Sequence, residues 1–192
     1  LLNFTDHDSL DLGGRRVAVT APIDLAAAVP NKPTFSVRRV IRNGQFEAIA
    51  GPAWNPAVVT SQASYSPAQP VTLTGVVNVA AVLVGSLVTG TGVGREVYVN
   101  AVSVGAGTVT LSQPLYDAAG SQVFTFTRFR YVFDFSGFTQ LDKLNLSDLE
   151  LQCNGVGSAI MLPPAGNNFH VRDCYVTRPK DRGITSIGRG CQ

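Results

Sequence analysis

Apolar and polar residues alternate in two segments near the end of the chain, and the two segments match each other. Residues 144–151 (LNLSDLEL) align with residues 169–176 (FHVRDCYV), about 25 positions later, and residues 41–46 (IRNGQF) form a looser third copy. Alternation predicts β-strands, and a repeat of this length with short strands is typical of a solenoid. The sequence therefore predicts an all-β chain that forms a parallel β-helix with about 25 residues per turn.

The repeat also predicts the core. Phe135, Ile160 and Ile184 follow the same spacing, and we expect them to stack as a column, since strands in adjacent turns lie about 4.8 Å apart. Cys174 takes the position of Leu149 and is expected to behave as a small buried hydrophobe. The alternation predicts that Leu144, Leu146, Leu149, Leu151, Phe169, Val171 and Val176 are largely buried, and that Asn145, Glu150, His170 and Arg172 are more exposed.

Glycine and proline divide the chain into four segments. Residues 1–51 contain strands that are predicted to turn at Gly13-Gly14 and at Asn43-Gly44. Residues 52–70 are rich in Pro, Ala and Ser and are predicted to be a connector. Residues 71–130 are predicted to form an inserted antiparallel β-sandwich or barrel, and residues 131–192 further solenoid turns. The strands of the insertion are expected at 71–77, 86–89, 95–103, 108–112 and 122–130. Because the pattern stops in mid-turn, we expect the sequence to be part of a longer chain.

Two short motifs carry a resemblance to a known family. The "DLGG" run at residues 11–14, followed by a strand, a Pro-bounded loop and "IRNGQF", resembles the first turns of the right-handed β-helix of the pectate-lyase superfamily, as found in phage tailspikes and head spikes. This resemblance covers residues 10–51 and 131–192. It implies a homotrimer on the surface of a virion or phage-like particle, contacts with other virion proteins, and binding to host surface polysaccharide.

Composition argues against several other classes of function. The net charge of +2 is nearly neutral, and no basic cluster exceeds Arg15-Arg16 or Arg38-Arg39, which gives nucleic-acid binding little support. The apolar run at 76–84 is too short for a membrane span. Cys153, Cys174 and Cys191 have no metal-ligand spacing, so neither a metal nor a cofactor is predicted.

Two carboxylates are the weak candidates for catalysis. Asp148 and Asp173 occupy equivalent positions in adjacent turns, about 5 Å apart, which is a separation that suits a retaining glycosidase. The favoured interpretation is structural, because Asp at a strand corner commonly accepts hydrogen bonds from nearby backbone amides. Lyases of the superfamily use an Arg base and acidic calcium ligands, and Asp181-Arg182 is the place that resembles that pairing.

The remaining polar motifs give weaker signals. His170 is predicted to point outward from its strand. His7, between Asp6 and Asp8, could bind a metal but is expected in a mobile terminus. Gly90–Gly94 lacks the Lys and the helix of a phosphate loop and is predicted to be a turn. The aromatic residues considered as sugar-stacking surfaces are Trp54, Tyr65, Tyr98, Tyr116 and Tyr131, and no binding role is assigned to them.

The sequence therefore favours a structural spike or fibre component that supports attachment to host polysaccharide. The alternative is a polysaccharide lyase or glycoside hydrolase with its active site on later turns. A bacterial surface adhesin is a third interpretation.

Overall fold

The computed structural model describes residues 8–29 and 32–188, so Asp6, His7 and Cys191 lie outside the described residues. Two short 3-10 helices occupy Pro52–Trp54 and Val79–Ala81. The predicted all-β class is confirmed. The strands are β1 (Ser9–Val19), β2 (Ile23–Asp24), β3 (Thr34–Phe35), β4 (Arg39–Ala48), β5 (Ala57–Tyr65), β6 (Thr72–Thr74), β7 (Leu87–Thr89), β8 (Val99–Ser103), β9 (Thr108–Leu111), β10 (Gly120–Arg128), β11 (Tyr131–Asp134), β12 (Gln140–Leu141), β13 (Leu144–Gln152), β14 (Ser158–Met161), β15 (His170–Arg172), β16 (Tyr175–Thr177) and β17 (Ile184–Thr185).

The chain folds into two compact units. Pro56–Phe129 forms one unit, which we call the inserted unit, and the residues on either side of it form the other, which we call the parallel unit. Each unit has its own hydrophobic core.

Within the described residues, the strand pairs of the parallel unit are all parallel, and they form three sheets. Sheet A has the order β1-β4-β13-β15, with β16 also paired to β13; sheet B has the order β17-β14-β11-β2; and sheet C pairs β12 with β3. The chain visits the sheets repeatedly in the same sequence, for example β1, β2 and β3, and then β4, β11 and β12. Each circuit therefore lays a new strand beside the previous one.

Apolar side chains of sheet A stack across these circuits. Ile41 lies in register with Leu146, and Leu146 with Val171. A second row contains Phe46, Leu151 and Val176. Leu144, Leu146, Leu149 and Leu151 are almost fully buried, as the alternation predicts.

Two predictions about the core are wrong. Phe133, rather than Phe135, lies in register with Ile160 and Ile184, because the circuit between β11 and β14 is longer than 25 residues. Phe169, Val171 and Val176 are only partly buried. Within the described residues, β15 and β16 are covered by β13 on one side, so their side chains lack a second neighbour.

The predicted turns at Gly13-Gly14 and Asn43-Gly44 are also wrong. β1 and β4 run through these positions without reversing, and their pairing shows only a register shift between Asp11 and Arg15. Gly13, Gly14 and Asn43 adopt left-handed backbone angles, with φ of 59°, 73° and 58°. At both places the chain kinks and then continues along the same strand; in β1 the kink comes with an irregularity in the pairing, as at a β-bulge.

The inserted unit contains a six-stranded antiparallel sheet in the order β7-β10-β5-β6-β9-β8. A bridge between Leu87 and Tyr98 joins the β7 end of this order to the β8 end, and the backbone hydrogen bond from Val99 to Ser86 supports it. The sheet therefore closes around a core that includes Leu73, Phe124 and Phe126.

The boundaries of the insertion differ from those expected. The predicted connector at 52–70 contains β5, which pairs with both β10 and β6 in the middle of the sheet. Ala57–Tyr65 does alternate in burial, but the Pro- and Ser-rich residues around it hide this pattern in the sequence. The observed strands β6 to β10 correspond to the five segments expected between 71 and 130, with ends that differ by up to four residues.

Candidate functional site

A column of left-handed residues crosses the outer face of sheet A. Asn43, Asp148 and Asp173 have φ of 58°, 52° and 53°, and the pairs on either side of them place the three next to one another across sheet A. Asn and Asp are the non-glycine residues that tolerate this conformation best, which explains their occurrence here. The kinks therefore recur at one place in successive circuits and leave a groove beside them.

The groove has a volume of about 260 Å³ and is open to solvent. Gly44 forms part of its floor, where a Cβ atom would lie 2.5 Å from the Cβ of Leu12, so a larger residue does not fit. The side chains around the groove are mainly amides and carboxylates, with one tyrosine. Its lining consists of Gly14, Asn43, Gly44, Gln45, Asp148, Leu149, Glu150, Asp173 and Tyr175.

A second row of outward-facing residues forms one wall of the groove. Gln45, Glu150 and Tyr175 lie in register on three neighbouring strands. Gln45 Nε2 donates to Glu150 Oε2 at 3.0 Å, and Gln152 Nε2 donates to Glu150 Oε1 at 2.9 Å. The tyrosine ring is 72% exposed, so the wall presents fixed polar groups next to a free aromatic face.

Asp148 and Asp173 lie side by side in the groove, as their spacing predicts. Asp148 lies in β13, and Asp173 lies between β15 and β16, which both pair with β13, so their backbones are about one strand spacing apart; both side chains are exposed. In the part of the chain that the structure describes, neither accepts a hydrogen bond from a backbone amide, so the structural role expected for them is not observed. Asp173 instead forms an ion pair with Arg172, with 3.3 Å between Oδ2 and Nε. Their left-handed backbone is the structural reason for Asp at these positions.

Asp11, in β1, stabilises the kink in its own strand at Gly13 and the kink in β4 at Asn43. Its carboxylate accepts hydrogen bonds from the Gly13 amide at 2.9 Å, from Asn43 Nδ2 at 2.9 Å and from Arg42 Nε at 3.0 Å. These bonds hold the pKa of Asp11 below its ordinary value, and the bond from the Gly13 amide contributes most to the lowering. The carboxylate is therefore ionised and accepts these hydrogen bonds at neutral pH, and the stabilisation that they give is lost only as acidification protonates it.

Comparison of the chain with protein-family models gives no match, and comparison with curated proteins gives none either.

Most of the aromatic residues considered from the sequence are unavailable to a ligand. Trp54, Tyr65, Tyr98 and Tyr131 are buried, and Trp54 Nε1 donates to the Ile49 carbonyl at 2.8 Å. Tyr116 is 88% exposed but belongs to the inserted unit.

The other predicted candidates do not join the groove lining. His170 is exposed, as predicted, and its Nδ1 lies 3.0 Å from Asn145 Nδ2. Asp181 and Arg182 pair with each other at 2.9 Å. Gly90–Gly94 lies between β7 and β8, where a Cβ on Gly92 would meet the Asp117 backbone at 2.5 Å.

The wall residues Gln45, Glu150 and Tyr175 were not identified from the sequence as site residues. The 25-residue repeat does align Glu150 with Tyr175 and could have indicated them. Gln45 is separated from that pair by the inserted unit, and the register of β4 with β13 is needed to place it.

The described residues contain no group of three or more His, Cys, Asp or Glu arranged to hold a metal ion. Within the same part of the chain, no helix has the length and apolar character needed to cross a membrane.

Proposed function

We propose that this chain is the beginning of a right-handed parallel β-helix in a spike or fibre of a phage or phage-like particle, and that its groove contributes to attachment to host surface polysaccharide. The resemblance of the "DLGG" and "IRNGQF" segments to spike proteins supports this proposal. The parallel sheets, which gain one strand per circuit, support it too, and the hand follows the strong preference of parallel crossover connections. The protein then acts at the particle surface, as a homotrimer bound to other virion proteins.

The groove is the main support for glycan binding. Sugars present hydroxyl groups that both donate and accept hydrogen bonds, and Gln45, Glu150 and Asp148 offer matching amide and carboxylate groups. The apolar face of a sugar ring packs on an aromatic ring, and Tyr175 offers one at the edge of the groove. An open groove also suits a polymer, whose chain enters and leaves on either side.

Binding of the protein to polysaccharide purified from host cells tests the proposal. Truncation of Tyr175 to Ala should weaken binding by roughly tenfold, in line with the loss of one aromatic contact of about 1–1.5 kcal/mol. The matched control is Tyr116→Ala, which removes an even more exposed tyrosine from the inserted unit. Equal effects of the two substitutions, or no binding by the unmodified protein, would contradict the role of the groove.

The proposed assembly has a separate test. Light scattering of the purified protein should give a mass close to three times the 20.3 kDa of one chain. A monomer at micromolar concentration would contradict the trimer while leaving the groove proposal intact.

Glycan cleavage is a second candidate, because Asp148 and Asp173 lie about one strand spacing apart in the groove and a retaining glycosidase needs two neighbouring carboxylates. We expect the groove to bind without cleaving, and the active site of any depolymerase to lie on later turns. Asp148→Asn and Asp173→Asn should then leave depolymerisation by the complete protein within a fewfold of its normal rate. A loss of about a thousandfold in a folded variant would make these carboxylates catalytic.

A further inference from the structure

Charged residues are scarce in the inserted unit. The whole chain has 15 Lys and Arg and 13 Asp and Glu, but residues 56–129, all of which the structure describes, contain only Arg95, Glu96, Asp117 and Arg128. Globular domains usually contain about 25% charged residues. Arg128 is buried, and its guanidinium group donates to backbone carbonyls, so this unit exposes few charges to solvent.

The exposed charges of the inserted unit lie together in two loops. Arg95 and Glu96 precede β8, and Asp117 precedes β10. The two loops are joined, because the Asp117 amide donates to the Gly92 carbonyl at 2.8 Å and Gln113 Nε2 donates to the Arg95 carbonyl at 2.9 Å. The strands that the structure describes in this unit therefore have outward faces without a charged side chain.

Three neighbouring strands of the closed sheet form one continuous surface of this kind. We call it the uncharged face; it consists of the outward-facing side chains of β7, β10 and β5. Thr125, in the middle of β10, pairs with Thr89 of β7 and with Thr60 of β5, so three threonines lie in one row. The residues that alternate with the uncharged face, such as Phe124 and Phe126, point into the core.

The uncharged face also exposes valine side chains. Val58 and Val123 are about 60% exposed, and Val77, whose amide donates to the Gln62 carbonyl of β5, is 73% exposed. The buried centre of a protein–protein interface is apolar and has few charged residues. The uncharged face has this composition, whereas a surface that only contacts water is rich in charge.

We propose that the uncharged face packs against the uncharged faces of other copies of this chain. Residues near the symmetry axis of a homo-oligomer lie beside their own copies, so a charged side chain there would meet a like charge. A threonine hydroxyl both donates and accepts hydrogen bonds, so the row of Thr89, Thr125 and Thr60 can bond to a copy of itself. A charged partner protein would instead lose hydration without gaining an ion pair.

The inference rests on the proposed function, because it names the surface that joins the copies of the proposed homotrimer. The size of that surface limits its contribution. Three strands about 4.8 Å apart, the longer two of nine residues, cover roughly 15 Å by 30 Å, or about 450 Å². One partner of a standard interface contributes about 800 Å². The uncharged face therefore adds to the assembly of the whole chain and would hold isolated inserted units together only weakly.

A charge placed at the centre of the uncharged face tests the proposal. Thr125→Arg in the whole chain should raise the concentration at which half of the chains are assembled by at least tenfold, because every copy brings the same charge to the contact. Light scattering over a concentration series measures this. The matched control is Thr110→Arg, which puts the same substitution at a partly buried outward position of β9, the strand opposite β10 in the closed sheet. An unchanged assembly in Thr125→Arg, or an equal loss in both variants, would overturn the proposal.

Mixing two variants shows whether position 125 faces other copies. Thr125→Arg and Thr125→Glu should each assemble poorly alone, and an equal mixture should recover mass, because opposite charges then meet between copies. A position that affects only the fold of its own chain gives no recovery, and that result would contradict the proposal. Circular dichroism checks that each variant is folded. If Thr125→Arg does not fold, Val123→Arg repeats the test at a more exposed position of the same face.

The results separate this inference from the proposed function. A trimer that Thr125→Arg leaves intact would overturn the uncharged face as the contact and leave the trimer and the groove standing. An oligomer that Thr125→Arg dissociates, formed by a protein that binds no polysaccharide, would support the uncharged face and contradict attachment. A monomeric unmodified protein would overturn both the contact and the trimer, whereas the groove would keep its own test.

Discussion

At the scale of single residues, burial controls the chemistry of the two cysteines that the structure describes. Cys153 is fully buried, and desolvation raises the pKa of its thiol to about 11. Cys174 is half-buried; burial is again the main cause of its raised pKa, and the carboxylates of Asp148 and Asp173 add to it. Because the thiolate is the reactive form, neither is a strong nucleophile at neutral pH.

We expect Cys153 to resist alkylation in the folded protein. Near pH 8 only about one molecule in a thousand carries its thiolate, and the side chain is also shielded, whereas Cys174 is partly accessible. Labelling with iodoacetamide and peptide mapping by mass spectrometry should show Cys174 modified well before Cys153. Labelling of Cys153 should become complete only in denaturant, and rapid labelling under native conditions would contradict its burial.

Leu146 and Val171 are neighbours in one apolar row, but they differ in burial. Leu146 is 1% exposed between Ile41 and Val171, whereas Val171 is only partly covered. Leu146→Ala should therefore lower the free energy of unfolding by about 2–5 kcal/mol. Val171→Ala should cost clearly less. Urea denaturation of both variants measures the difference, and an equal loss would show that the row is packed differently.

At the scale of strands, the kinks in β4 and β13 depend on residues that accept a left-handed backbone. Asp148→Gly should keep or slightly increase stability, because glycine adopts φ near 52° without a steric penalty. Asp148→Val should lower the free energy of unfolding by roughly 1–2 kcal/mol or more, since a β-branched side chain clashes in this conformation. Thermal denaturation of the two variants makes the comparison, and equal stabilities would argue against the kink.

The strand patterns also show which features of the fold the sequence can predict and which it cannot. Period-2 alternation correctly predicted β13 and the burial of its leucines, because successive side chains of a strand point to opposite faces of the sheet. It could not distinguish a kinked strand from a hairpin at Asn43-Gly44, since both use the same residue types. The groove could not be predicted for a related reason. Gln45 and Tyr175 lie on either side of Glu150 because strands that are distant in sequence pair in one particular register, and the packed structure sets that register.

At the scale of the whole molecule, two separate cores suggest that the inserted unit can be removed. Its first and last strands are neighbours, with Ala57 paired to Arg128, so the two ends of the unit are one strand spacing apart. Replacing residues 57–128 by a short Gly-Ser linker should leave a folded parallel unit, because so small a gap adds little loop-closure entropy. Circular dichroism and a cooperative thermal transition are the measurements, and an unfolded product would show that the parallel unit depends on the insertion.

The repeated kink in sheet A has a consequence for how the chain avoids misfolding. Stacked strands of similar composition can slip past one another, and a slip by one position turns apolar side chains toward water. Here a slip would also place Ser147 or Leu149 beside Asn43, at the kinked position that Asp148 now occupies. Neither Ser147 nor Leu149 readily adopts the left-handed backbone of that position. Each added circuit repeats the penalty, so the column of kinks favours the correct strand register more strongly as the stack becomes longer.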